Sequence, residues 1–225
     1  MLLTLPLLLA ASRDRSINRH AVAGDAHGRA WPAGDASDDA AAGTWRGDAV
    51  AATAAWALWI AEVNLCPFAR KSLETSDAIS YVVTDADTQK AFYAAAVDCA
   101  RDLAKSSDAV DPTAAIVFLV APFYEARDFP AFLRSVEALE DDVLPLENDA
   151  VQMAGFHPAW AFGGVPDDDP LHFEKRAPHP TVSLVLVDGL EHANSAKIAA
   201  DNERILTQMG VDQVARAFAG FVSSD

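Results

Sequence analysis

The segment Thr113–Ala121, TAAIVFLVA, decides the fold class because almost every residue in it is apolar. A short continuous apolar run, without the alternation of a half-exposed strand, is typical of a strand buried on both faces of a sheet. Two further segments have the β-branched and aromatic content of strands, AISYVVT at 78–84 and AVQMAGF at 150–156. TVSLVLVD at 181–188 also has strand composition.

Apolar residues at helical spacing predict helices between these strands and after them. The predicted helices run from Asp48 to about Asn64, from Asp85 or Asp87 to about Lys105, from Asp128 to Pro145, from Asn194 or Ser195 to Met209, and from Asp212 to about Phe221. Strands joined through helices of this length favour an α/β fold. We predict a small parallel or mixed sheet of three to four strands with helices packed on it.

The charge balance excludes several classes of partner. The chain has 33 acidic against 17 basic residues, a net charge of -16. Nucleic acids and anionic membrane surfaces are therefore not expected as partners. Two cysteines at unrelated spacing form neither a disulfide framework nor a zinc ribbon.

Residues 1–45 are predicted to be an extension that precedes a single domain at 46–225. The apolar run Leu2–Ala11 is too short to span a bilayer, and a stretch with arginines and few acids follows it. This order is similar to a signal-peptide core followed by a transit segment, which would route a soluble protein to the secretory system or to an organelle such as a plastid. The alternative is a tail without an address on a cytoplasmic protein. Residues 24–44 are interpreted as linker.

The segment Phe156–Pro180 is the candidate site. It contains five prolines and three of the six histidines, and no helical or strand period fits it. A connection of this length is usually functional or disordered, and its aromatic residues favour order. It follows the carboxyl end of a predicted strand, which is where ligands bind in open α/β sheets.

Cys66 is the second candidate, within NLCPFA at 64–69. If Pro67 is the first residue of a helix, Cys66 is the N-cap, and the positive helix end would lower the pKa of its thiol. Arg70 and Lys71 would add to this effect. The alternative is a buried, inert cysteine. Cys99 falls on the apolar face of a predicted helix and is expected in the core.

Two blocks together resemble a mainly bacterial family, the domain-of-unknown-function family number fourteen-fifteen. They are NLCPFA at 64–69, and FHPAWAFGG followed by DD and RAPHP within 156–180. The resemblance covers about residues 48 to 210. Trp160, Lys175 and His179 depart from the family pattern, in which Tyr, Asn and Tyr stand at these places. The family pattern continues as a helix after the last proline, so 181–188 remains open between strand and helix. The resemblance implies no activity and no cofactor.

Three hypotheses of function follow. In the first, the protein is an enzyme for a small anionic metabolite, with Cys66 as the nucleophile and His157 as the general base. Asp168 or Asp169 orients the imidazole, and Arg176 holds the substrate anion. The predicted substrate-binding set is completed by Asn64, Arg70, Trp160 and His179.

In the second hypothesis, Cys66 and His157 bind a transition metal together with His172, His179 or an aspartate. In the third, the domain binds a small molecule or a protein without catalysis, and Cys66 and His157 are structural. The oligomeric state is not predicted.

Overall fold

The computed structural model describes residues 39–66, 69–75, 78–123, 128–146, 150–190 and 193–222, so the predicted signal or transit segment lies outside the described residues. The helices are α1 Asp39–Glu62, α2 Ala69–Glu74, α3 Gln89–Lys105, α4 Phe129–Leu146, α5 Ser195–Met209 and α6 Val211–Val222. The strands are β1 Ile79–Val83, β2 Ile116–Val120, β3 Val151–Phe156 and β4 Thr181–Leu186. Short 3₁₀ helices cover Pro170–Glu174 and Val187–Leu190. Within the described ranges, no helix combines the length and apolar character needed to cross a membrane.

The four strands form one mixed sheet in the order β1-β2-β4-β3. β1 and β2 are parallel, and β4 lies between β2 and β3 and is antiparallel to both. The predicted small mixed sheet is confirmed. Of the two predictions for 181–188, the strand is confirmed over Thr181–Leu186 and the helix is wrong there. Every residue of β4 is buried, and the strand pairs with β2 on one side and with β3 on the other, a position that suits an unbroken apolar run.

Helices cover both faces of the sheet. The residues of β2 therefore alternate between two core clusters, one on each face. Phe118 belongs to one cluster, with α1, α5 and α6, and Leu119 belongs to the other, with α3 and α4. Trp56 of α1 meets Phe118 and Phe156 edge to face, with centroids 6.4 and 5.1 Å away. Contacts of this kind contribute about 0.5–1.5 kcal/mol each beyond burial.

The helix starts follow local capping chemistry. Asp128 Oδ1 accepts a hydrogen bond from the Ala131 amide, and Asn194 caps α5, both as predicted. α3 starts slightly later than predicted, because Thr88 rather than an aspartate is its N-cap. α1 begins at Asp39, so Asp48 lies inside it and the predicted linker is wrong over residues 39–44. The alanines of that segment favour helix.

α1 runs along the sheet from one edge to the other. We call the edge where β1, β2 and β3 end the carboxyl edge, and the opposite one the amino edge. Near the start of α1, Arg46 pairs with Asp85, which follows β1. After the end of α1, Lys71 of α2 pairs with Asp111, which precedes β2, with Nζ and Oδ2 2.9 Å apart. The chain has therefore reached the amino edge by α2.

Candidate site at the carboxyl edge of the sheet

The predicted site loop, residues 157–180, connects the end of β3 with the start of β4 at the carboxyl edge. The amide of His157 donates to the Lys175 carbonyl at 3.0 Å, so the two ends of the loop lie side by side. The Ala121 amide, directly after β2, donates to the Pro180 carbonyl at 2.9 Å. The first bond closes the loop on itself, and the second attaches its end to β2.

His157 is completely buried, at 0% exposure, against the rings of Phe129 and Phe132 of α4. Its Nδ1 accepts a hydrogen bond from the Ala159 amide at 3.1 Å. A neutral ring that accepts at Nδ1 carries its proton on Nε2. His157 therefore organises the first turn of the loop, and its Nδ1 lone pair is already engaged.

His172 uses both ring nitrogens inside the loop. Nδ1 accepts from the Phe162 amide at 3.1 Å, and Nε2 donates to the Pro166 carbonyl at 2.8 Å. A metal ligand needs one of these nitrogens, so His172 could bind a metal only by breaking the loop's own hydrogen bonds. In the part of the chain that the structure describes, no three His, Cys, Asp or Glu residues come together as a metal site.

The two aspartates have different positions. Asp169 caps the 3₁₀ helix, since its Oδ1 accepts from the Leu171 amide at 2.8 Å. Asp168 is exposed. Among the described residues, neither forms a hydrogen bond with His157 or an ion pair with Arg176. The predicted triad geometry is absent from the described contacts, and so is an ion pair between Arg176 and either of these aspartates.

Arg176 is fixed by neutral groups. Its Nε donates to the Trp160 carbonyl at 3.0 Å, and its guanidinium carbon lies 4.5 Å from the centre of the Phe173 ring. The plane of the guanidinium is thus determined, while its two terminal nitrogens contact no acceptor among the described residues. Partial burial lowers the pKa of Arg176, but an arginine remains charged at physiological pH.

Trp160 stands at the centre of these contacts. Its ring packs against Phe129 and Phe162, and the side chain is buried. The indole Nε1 is buried and has no hydrogen-bond acceptor within the described residues. Buried Trp N–H groups usually have an acceptor, so this one is an exception.

Lys175 was missed as a candidate by the sequence analysis, which noted it only as a departure from the family pattern. It is 4% exposed, and its Nζ lies 4.8 Å from the centre of the Phe156 ring and 5.9 Å from that of Trp160. Burial lowers the pKa of Lys175 to about 8, while Glu174 and Glu140 act in the opposite direction. A lysine flanked by aromatic residues in an ordered loop was the available signal.

The predicted shared site of Cys66 and His157 is wrong. Cys66 lies at the amino edge of the sheet, together with Asn64 and Arg70. Cys66 is 2% exposed and packs in the core cluster under α1, whereas His157 contacts α4 on the opposite face. The physical reason is the length of α1, which carries the NLCPFA segment to the amino edge. Arg70 lies in α2, which begins at Ala69, and the predicted helix start at Pro67 falls outside the described residues.

Asn64 has a structural part in that segment. Its φ of 60° is left-handed, a conformation that Asn tolerates better than most residues. Its amide donates to the Ala61 carbonyl and the Leu65 amide donates to the Ile60 carbonyl, which is the pattern of a Schellman cap that ends α1.

The remaining candidate is His179. His179 is partly buried near the end of the loop, and burial lowers the pKa of its ring. Cys99 lies on the buried face of α3, as predicted, and burial raises the pKa of its thiol to about 12.

Comparison with known protein families finds a sequence model that matches the chain. Residues 48–216 match the sequence model of a family described as "Protein of unknown function (DUF1415)". No curated protein and no solved structure matches the chain significantly. The match covers most of the chain, including the NLCPFA segment and the whole of the loop at the carboxyl edge. The chain therefore belongs to the DUF1415 family.

Proposed function

We propose that the loop at the carboxyl edge binds a small anionic molecule, with Arg176 as its anchor. The observation that carries this proposal is the state of the Arg176 guanidinium. Its orientation is set by the Trp160 carbonyl and the Phe173 ring, and its two terminal nitrogens have no acceptor among the described residues. A carboxylate or phosphate accepts two parallel hydrogen bonds from such a pair of nitrogens.

Two further donors lie beside the same tryptophan. The Lys175 ammonium and the Trp160 Nε1 also have no acceptor within the described part of the chain. The Trp160 Nε1 is fully buried, a position in which polar groups normally have a partner, and the two cations beside Trp160 are also donors, so the set favours an oxygen-rich ligand. This set makes the domain a small-molecule-binding domain in which Cys66 has no part.

The charge of the chain favours a small ligand over a polymer. Lys175 and Arg176 are adjacent cations in a protein of net charge -16. A local positive site attracts small anions, whereas the overall negative field repels nucleic acids and other polyanions.

A thermal-shift screen of mono- and dicarboxylates and of phosphate esters tests the proposal. Binding to the folded state at 100 times Kd stabilises it by about 2.7 kcal/mol. We expect at least one compound to raise the Tm of the wild type and to lose most of this effect in Arg176→Lys. This variant keeps the positive charge but lacks the two parallel N–H donors of a guanidinium. Arg216→Lys, on the exposed side of α6, is the matched control and should respond like the wild type.

Equal shifts in wild type, Arg176→Lys and Arg216→Lys would show that the anions act elsewhere. A screen without any stabilising anion would refute the proposal directly.

A further inference from the structure

We propose that Lys175 is a reactive amine that forms an imine with the carbonyl carbon of a short carboxylate, such as a 2-oxo acid, that Arg176 holds. The inference rests on the proposed function and makes it more specific: the ligand carries a carbonyl group next to its anionic group.

The surroundings of Lys175 differ from those of the other lysines whose contacts are known. Lys71, Lys105 and Lys197 form ion pairs with aspartates at the surface. Lys175 is buried, yet no described residue forms a hydrogen bond or an ion pair with its Nζ. A buried lysine is almost always paired, so an amine placed against two ring faces needs another explanation.

A desolvated amine is a nucleophile at neutral pH. With a pKa of about 8, Lys175 is neutral far more often near pH 7.5 than an ordinary lysine, whose pKa is 10.5. The charged groups that act on it are Glu174, its neighbour in the chain, and Glu140 of α4. Both favour the ammonium form, and burial outweighs them.

The reaction requires no oxidant or reductant. The Nζ lone pair of the neutral amine attacks the carbonyl carbon, the electrons of the C=O π bond move to oxygen, and a proton passes from the nitrogen to that oxygen to give a neutral carbinolamine. The hydroxyl then takes one proton from solvent and leaves as water, while the nitrogen lone pair forms the C=N bond of a protonated imine. The imine keeps the positive charge of the lysine, so the faces of Phe156 and Trp160 can stabilise it as they do the ammonium.

Reductive trapping tests the inference. Wild-type protein is incubated with pyruvate or glyoxylate and sodium cyanoborohydride, and the adducts are counted by intact mass and located by peptide mapping. We expect one predominant adduct, on Lys175, formed at least tenfold faster than on any exposed lysine. Lys175→Arg should lose it, and Lys90→Met, which removes an exposed lysine of α3, should keep it.

A measurement on the wild type alone avoids dependence on the fold of the Lys175 variant. The rate of adduct formation at Lys175 should reach half its maximum near pH 8. Adducts spread evenly over the exposed lysines, or a rate at Lys175 that rises only near pH 10, would overturn the inference.

A neutral carbonyl compound separates this inference from the anion site. In the wild type, methyl pyruvate should label Lys175 more slowly than pyruvate does. In Arg176→Lys, the two compounds should label Lys175 at similar rates. If anions bind through Arg176 but no adduct forms on Lys175, the imine is refuted and the proposed function remains. If ester and acid react alike in the wild type, the role of Arg176 in both proposals is refuted.

Discussion

Lys175→Met should change the pH dependence of stability in a direction that the structure determines. Burial lowers the pKa of Lys175 to about 8 in the folded protein, whereas in the unfolded chain the pKa has its ordinary value of 10.5. Between these two values the unfolded chain binds more protons, so raising the pH stabilises the folded state. Below pH 8 the folded protein bears the full cost of burying the ammonium.

The magnitude follows from the difference between the two pKa values. At 1.36 kcal/mol for each unit, the buried charge costs about 3 kcal/mol near neutral pH. Attraction to the faces of Phe156 and Trp160 acts in the opposite sense, so this figure is an upper value. Met has a similar length and no charge, so the variant lacks this cost at every pH.

Urea denaturation at intervals from pH 6.5 to 11, followed by tryptophan fluorescence, measures the effect. The difference in unfolding free energy, wild type minus Lys175→Met, should be constant below about pH 7.5 and rise by up to about 3 kcal/mol by pH 11. Titrating groups that do not interact with Lys175, such as Cys99, cancel in this difference. Lys90→Met should give a difference that does not vary with pH.

A difference that is flat across the range for Lys175→Met would refute the reasoning. It would mean that Lys175 releases its proton at the same pH in the folded and unfolded chains, and is therefore not desolvated in solution.

Two further predictions concern the packing of the fold and of the loop. Gly189→Ala should lower the unfolding free energy by about 2 kcal/mol or more, because the added Cβ would lie 2.1 Å from the Pro112 carbonyl oxygen. Gly163→Ala, with no atom within 4 Å of the added Cβ, is the control, and equal urea midpoints for the two variants would contradict this account. His172→Ala should cost about 2–3 kcal/mol and abolish the anion-induced thermal shift, since it leaves two backbone partners in the loop without their hydrogen bonds. An unchanged midpoint in urea and an unchanged anion response would show that the loop is held by other contacts.

Much of the secondary structure could be predicted because its causes are local. The buried run around Phe118 predicts a strand by composition alone, and side chains such as Asp128 and Asn194 start helices by bonding amides three residues away. The same holds for the ordered loop after β3, since prolines, aromatics and the absence of a period are properties of the segment itself.

The mutual placement of the two motif blocks was decided by tertiary structure. The sequence contains Cys66 and His157 in plausible chemical contexts, but no local pattern states at which end of the sheet each one lies. That depends on the length of α1 relative to the strands. It depends also on the insertion of β4 between β2 and β3, a pairing between strands distant in sequence.

The composition of the loop by itself predicted a candidate site, with histidines, an arginine and aromatic residues, beyond β3. Which of those side chains remain available was decided by packing. His157 and His172 each accept backbone hydrogen bonds at Nδ1, while Arg176 and Lys175 keep donors without described acceptors. Burial and hydrogen-bond satisfaction arise from neighbours distant along the chain, so the desolvation of Lys175 exists only once β3, α4 and the loop have come together.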